Sequence, residues 1–248
     1  MPDAIVFERV TFGHASGTPV LRDVSLAIHA GEVFTIVGRS GAGKSTTLRL
    51  INRLDVPNDG QVTVEGRATR DWDPITLRRR TGFVLQDLAL FPHMTVAENI
   101  GLLGRLESWE PDRIARRVHA LLVLVGLPPE FGARWPEDMS GGEQQRVAVA
   151  RALMIDPPVL LMDEPFGALD PLTRLSLHQE LRRIQSAVRK TIVLVTHDLR
   201  EALALGDRLG VLEHGRMIFV GPPAALRHAD HPFVRELLAT LDDDWREP

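Results

Sequence analysis

The 248-residue chain has no cysteine and no tyrosine, and its 29 basic residues include only two lysines, Lys44 and Lys190. Lack of cysteine excludes disulfides, thiolate nucleophiles and cysteine-ligated metal, and it fits a reducing compartment. The formal net charge is −4, so no overall basic field points to nucleic acid. No apolar run approaches the roughly 20 residues that span a bilayer, and Met1-Pro2-Asp3-Ala4 opens without a charged-then-apolar leader, so no signal peptide is expected. There is no internal repeat, heptad run or low-complexity segment. With 44% hydrophobic and 25% charged residues, a chain of this length buries a substantial core. Any membrane role is expected to go through a partner.

The most specific stretch is Gly38-Arg39-Ser40-Gly41-Ala42-Gly43-Lys44-Ser45, which fits the phosphate-loop pattern G-x-x-x-x-G-K-[ST]. Val33 to Val37 before it reads as a short buried strand, and Thr46 to Ile51 after it as the start of a helix. Glycines at these spacings let backbone N–H groups curl around phosphate oxygens, and the helix start adds its positive dipole end. Lys44 reaches the β- and γ-phosphates, while Ser45 or Thr46 helps to hold Mg²⁺. One of only two lysines thus falls where a compact ammonium is wanted.

Around this loop the spacing predicts strands over Ile5 to Phe12, Leu21 to Ile28, Gln61 to Glu65 and Gly82 to Leu85. From Asp87 to about Asp156 the signals turn helical. Thr95-Val96-Ala97-Glu98 reads as a capping box, Asp112 to Val125 and Gly141 to Ile155 as helices. The α/β pattern returns with apolar runs at Val159 to Met162 and Thr191 to Val195, helices over Leu172 to Val188 and Leu199 to Leu205, and a strand pair around His214-Gly215. The tail from Pro222 reads as short and helical, with a solvated acidic finish at Asp242-Asp243-Asp244.

Two further stretches carry chemistry. Val159-Leu160-Leu161-Met162-Asp163-Glu164 delivers two carboxylates at the end of a buried strand, where one suits Mg²⁺ and the next an attacking water. Taken alone, such a pair is also an ordinary turn. Ser140-Gly141-Gly142-Glu143-Gln144 opens a helix with a hydroxyl and bare N–H groups, which is either an anion site or a plain N-cap.

Over nearly its whole length the chain resembles the ATP-binding subunits of ABC transporters. The phosphate loop, Asp163, Glu164 and Met139-Ser140-Gly141-Gly142-Glu143 match that family's motifs, with Met for Leu and Glu143 for Gln as departures from the signature LSGGQ. The resemblance implies an α/β phosphate-loop ATPase fold, with a RecA-like core (1–86 and 157–241) that includes an N-terminal antiparallel β subdomain, and an inserted helical subdomain (87–156). It implies ATP and Mg²⁺ as cofactors, with Ser45, Gln86 and Asp163 toward the metal. Glu164 is implied as the catalytic base, Gln86 as a relay, His197 as the γ-phosphate histidine, and Phe12 as the ring on adenine, usually Tyr. Phe166-Gly167-Ala168-Leu169-Asp170 matches the loop that touches the other subunit.

The implied partners are a second copy in a head-to-tail dimer, membrane permease subunits on whose cytoplasmic side the ATPase sits, and, indirectly, a substrate-binding protein; no nucleic acid is expected. In that dimer each ATP lies between the phosphate loop of one copy and Ser140–Gly142 of the other. Finer likeness at Ile51–Leu54, Asp73-Pro74, Leu90–Ile100 and Arg134-Trp135-Pro136 is to importers of quaternary-amine osmoprotectants such as glycine betaine, choline or carnitine. Importers of polar amino acids, methionine or sulfate-like anions are the alternative, and non-transport ABC ATPases acting on ribosomes or DNA a third class. The end at Pro248 leads to the expectation that no C-terminal pair of nucleotide-sensing modules is carried. A phosphate-loop kinase or GTPase accounts for the first motif but not for Ser140–Gly142, Gln86 and His197 together.

Overall fold

The structure is a computed structural model that describes residues 2–14, 17–167 and 170–241. The described residues group into two compact units, one from 1–78 with 190–248 and one from 79–189.

The first unit opens with β1 (Asp3–Phe12) and β2 (Leu21–His29), which pair antiparallel. β3 (Val33–Val37) and α1 (Lys44–Ile51) follow, then β4 (Asp59–Val64) and β5 (Arg67–Ala68). The antiparallel sheet runs in the order β2-β1-β4-β5. The alternation that predicts its strands is that of a sheet with one covered face: Ile5, Phe7 and Val10 are buried, and Glu8 and Arg9 are exposed. α2 (Pro74–Arg80) begins after Asp73, whose Oδ1 accepts from the Thr76 backbone and hydroxyl; those bonds hold its carboxyl below the usual range.

The second unit holds β6 (Thr81–Val84), α3 (Val96–Leu106), α4 (Pro111–Leu124), α5 (Gly141–Ala152), β7 (Val159–Asp163) and α6 (Pro171–Val188). β6 and β7 are parallel, with Val84 opposite Met162. The capping box at Thr95 forms: the Glu98 N–H donates to its hydroxyl and the Thr95 N–H to the Glu98 carboxylate.

The chain returns to the first unit with β8 (Thr191–Thr196), α7 (Leu199–Leu205), β9 (Arg208–Glu213), β10 (Arg216–Gly221) and α8 (Pro232–Leu238). β3 is parallel to both β8 and β9, and all five of its residues are buried. An uninterrupted apolar run is what a strand covered on both faces requires. Val37, Leu199, Ala202, Val211, Phe233 and Val234 share one core cluster, so α7 and α8 pack beneath the end of β3. Burying side chains of this size contributes about 1.5–3 kcal/mol each, which anchors the strand that feeds the phosphate loop. The acidic finish at 242–244 lies outside the described residues.

Candidate functional site

The phosphate loop leaves the sheet under steric compulsion. A Cβ on Gly38 would lie 2.2 Å from the Leu212 carbonyl oxygen of β9, so no larger residue fits. Gly43 takes φ 107°, and its Cβ would lie 2.6 Å from Leu21 Cδ2. As the residue before α1, Gly43 also has no side chain to cap the helix, and no side-chain cap bond is made there. The helix therefore begins at Lys44, two residues earlier than the pattern predicts, with its first N–H groups turned into a side-chain-free cradle.

Lys44 is 5% exposed, and its Nζ donates to the carbonyls of Gly38 (2.9 Å) and Arg39 (3.2 Å). Ser45 and Thr46 are half-buried behind it. The neighbouring residues Arg39, Ser40 and Gly41 are exposed and Ala42 is buried. Arg39 forms an ion pair with Glu236 of α8, and its guanidinium lies 5.2 Å from the centre of the Phe233 ring. Buried ammonium, bare helix start and left-handed glycines form a donor set with the shape and sign for a polyphosphate.

His197 emerges at the same edge. Val37 pairs with Thr196 across β3 and β8, so Gly38 and His197 are the next residues out. The histidine is exposed while its flanks are fixed. The Thr196 hydroxyl donates to the buried Glu201 carboxylate at 2.6 Å and accepts from the Asp198 N–H, and Asp198 caps α7 by accepting from the Arg200 N–H.

Phe12 departs from its expected role. It pairs with Leu21 and is only 6% exposed, so its ring belongs to the core and offers little face to a base. The exposed ring at that strand end is His14, edge-on to Phe12 with centroids 5.3 Å apart. Leu21 touches the Gly43 position, which brings this end of β1 and β2 beside the phosphate loop. Strand alternation was the available signal: Phe12 shares the inward register of the sheet, and His14 follows past its end.

In the second unit, Gln86 and Glu164 each lie two residues beyond the paired Val84 and Met162. Asp163 is the last residue of β7 and is half-buried, as is Glu164. Glu164 has φ 42°, left-handed backbone that a non-glycine residue rarely adopts. The Gly167 N–H donates to its carbonyl at 3.2 Å, which tightens the turn. Strain of this kind, about 1–3 kcal/mol, persists where neighbouring structure enforces it.

Ser140 caps α5. Its Oγ accepts from the Glu143 N–H (3.4 Å), while its own N–H and hydroxyl both donate to Glu143 Oε2 (2.8 Å each). These bonds, backbone first, hold the Glu143 carboxyl below the usual glutamate range. Gly141 is exposed, and Gly142 is buried because α6 packs against it: its Cβ would lie 2.7 Å from Thr173 Cγ2. Asp170 caps α6, accepting from the Leu172 and Thr173 N–H groups at 3.1 Å, and Thr173 holds its carboxyl down. The Ala168-Leu169 part of the expected subunit-contact loop lies outside the described residues. The length of α5, about 16 Å at 1.5 Å per residue, separates the Ser140 cap from the end that packs on β6.

Comparison with known proteins agrees with this assembly of parts. Residues 21–167 match the model of the ABC transporter family. The choline transport ATP-binding protein OpuBA of Bacillus subtilis (strain 168) is 44% identical over 94% of this chain and 62% of its own length. The glycine betaine uptake system ATP-binding protein YehX of Escherichia coli (strain K12) is 44% identical over 92% of this chain and 75% of its own. The chain spans about three-fifths of the length of the first curated relatives it matches. Among solved structures, the dimeric ATP-binding cassette MJ0796 in a post-hydrolysis state with ADP and Pi superposes with a TM-score of 0.78 at 34% identity, over 88% of this chain and 98% of that one. Loop, capped signature segment and relatives lead to one conclusion: the chain belongs to the ABC transporter family and has the α/β fold of its ATP-binding cassettes.

Proposed function

We propose that the chain binds and hydrolyses ATP with Mg²⁺ as the ATP-binding subunit of an importer for quaternary-amine osmoprotectants. The observation that carries the ATPase reading is the phosphate loop, where a buried Lys44 ammonium borders a helix start with no side-chain cap. Lys44 exchanges its two carbonyl partners for phosphate oxygens, and the loop N–H groups hold the same anion. His14, rather than Phe12, provides the ring for the base. Glu164 accepts the proton of the water that attacks the γ-phosphorus as the bond to the leaving ADP oxygen breaks. His197 donates toward the γ-phosphate.

Ser45, Asp163 and Gln86 would hold Mg²⁺; hydroxyl, carboxylate and amide oxygens are the hard donors this ion takes, few in number because phosphates and waters complete its shell. When bound, the ion neutralises charge on the phosphate oxygens. Ser140 to Gly142 face the nucleotide of a second copy, and the closing of that pair drives the permease subunits on the cytoplasmic side of the membrane. Among the described residues no helix is long and apolar enough to cross a membrane. The osmoprotectant assignment is supported by relatives whose names state choline transport and glycine betaine uptake.

The test pairs purified chain with permease reconstitution. Lys44→Ala is expected to lose nucleotide binding, and Glu164→Gln to keep binding while phosphate release falls roughly 100-fold or more. Normal turnover in either variant removes that residue from the site. With the permease and binding protein in vesicles, glycine betaine, choline or carnitine should stimulate phosphate release. Stimulation by amino acids or anions instead leaves the ATPase assignment standing and replaces the cargo.

A further inference from the structure

The loop that carries Gln86 does not keep its shape by local chemistry alone. Two consecutive non-glycine residues behind it, Leu88 (φ 58°) and Ala89 (φ 45°), are left-handed, a conformation sustained only where surrounding contacts impose it. The turn uses its own N–H groups internally: Leu88 donates to the Leu85 carbonyl at 3.0 Å and Ala89 to the Asp87 carbonyl at 2.7 Å. The carbonyls of Leu88 and Ala89 both accept from one side chain, the guanidinium of Arg151. Its Nη2 donates to Leu88 O and its Nη1 to Ala89 O, each at 2.6 Å. Charge-assisted bonds of this length are among the strongest a neutral carbonyl receives, and the two-pronged geometry fits a planar fork. Burial lowers the Arg151 pKa, and the Asp87 carboxylate acts to raise it.

Arg151 lies in the last turn of α5, and Ser140 caps the first. Between them Val147, Ala148, Val149 and Ala150 are buried, so the helix has a packed body. We propose that Arg151 is a positioning residue that makes α5 a rod, with the Ser140 cap at one end and the Gln86 loop clamped to the other. A shift of the helix at its capped end is thereby delivered to the backbone two and three residues past Gln86. The role assigned to Arg151 rests on the reading of Gln86 and Ser140 given above. A residue that only stabilised the fold would lower melting temperature without preferentially affecting turnover.

The experiment uses the full chain with its permease and combines hydrogen exchange over residues 85–91 with steady-state phosphate release. Arg151→Ala should raise exchange in that loop by at least tenfold and lower kcat roughly 10- to 100-fold, as misplacement of a catalytic group by about 1 Å does. KM for ATP should stay within about twofold, because the phosphate loop is untouched. Arg151→Lys should restore little, since one ammonium cannot span two carbonyls as a fork does. Ala89→Gly in the Arg151→Ala background should recover part of kcat by removing the Cβ penalty of the left-handed turn.

Unchanged exchange in Arg151→Ala overturns the clamp, whatever the turnover. Raised exchange with normal kcat overturns the positioning role if Gln86→Ala is inactive. A fully active Gln86→Ala sinks the reading of Gln86 itself, and the proposal with it, through a variant in which Arg151 is intact. Loss of kcat and melting temperature together, with no recovery from Ala89→Gly, assigns Arg151 to stability alone.

Discussion

Two helix starts carry motifs of the family, and they are built in opposite ways. At α1 the residue before the helix is a left-handed glycine that makes no side-chain cap bond, so no side chain covers the helix start. At α5 the residue before the helix is a serine in a complete capping box, and Glu143 places a carboxylate at the helix start. α3 has the same box at Thr95 and Glu98, so the arrangement at Ser140 is one this protein also uses at a helix to which no ligand role is assigned. The first start thus has no side chain of its own over its opening turn. The second is self-satisfied, and in the proposed dimer it would surrender bonds to phosphate.

The contrast is most readily broken at α1. Gly43→Ala forces a Cβ onto a φ of 107° and against Leu21, so nucleotide affinity should fall roughly 100-fold. Calorimetric titration of the purified chain checks this, and unchanged affinity would mean the cradle is not built by that glycine. Ser140→Ala is expected to leave nucleotide binding by a single chain unaltered and to lower hydrolysis about ten- to hundredfold, the loss of a hydrogen bond to a charged group. Thr95→Ala is its control: each substitution costs about 1 kcal/mol of cap stability, but only the one at 140 should slow phosphate release.

The smallest effect sharpens the comparison instead of breaking it. Glu143→Gln removes a like charge from the helix start proposed to face phosphate, and the ATP concentration for half-maximal turnover should fall about two- to fivefold. The same residue sets a pH dependence. Its folded pKa is depressed, chiefly by the Ser140 N–H and then the hydroxyl, so its contribution to stability is present above the ordinary glutamate pKa and is lost as pH falls through the lower folded value. Melting curves of wild type and Glu143→Gln should therefore converge in acid. A constant offset down to pH 3 would show that the carboxylate contributes nothing to the cap.

Much of this was legible because it is local. The phosphate loop is eight adjacent residues, the runs of β3, β7 and β8 are continuous, and the boxes at Thr95 and Ser140 are written at i and i+3. Helix and strand ends moved by one to three residues, as at Ile155 against Ala152 and at Leu172 against Pro171, where Asp170 is the cap and proline the favoured first residue. What escaped was long-range or depended on strand register. Phe12 is the buried last residue of β1, whereas His14 lies past the strand end and is exposed. Nothing near Arg151 in sequence indicates that its guanidinium reaches back more than sixty residues to Leu88. Gly142 reads as a ligand-facing glycine, yet Thr173 of α6 gives it a packing reason of its own.

The bond between Arg39 and α8 has a consequence in the solvent. The Arg39–Glu236 pair is exposed on both sides, so its strength depends on the ionic atmosphere, whose screening length shortens from about 8 Å near 0.15 M salt to about 3 Å at 1 M. The contact of the same guanidinium with Phe233 is less dependent on that atmosphere. As electrolyte concentration rises, the attachment of the phosphate loop to α8 shifts from charge toward ring contact. The Arg39 carbonyl that holds Lys44 belongs to the residue on which that exchange takes place.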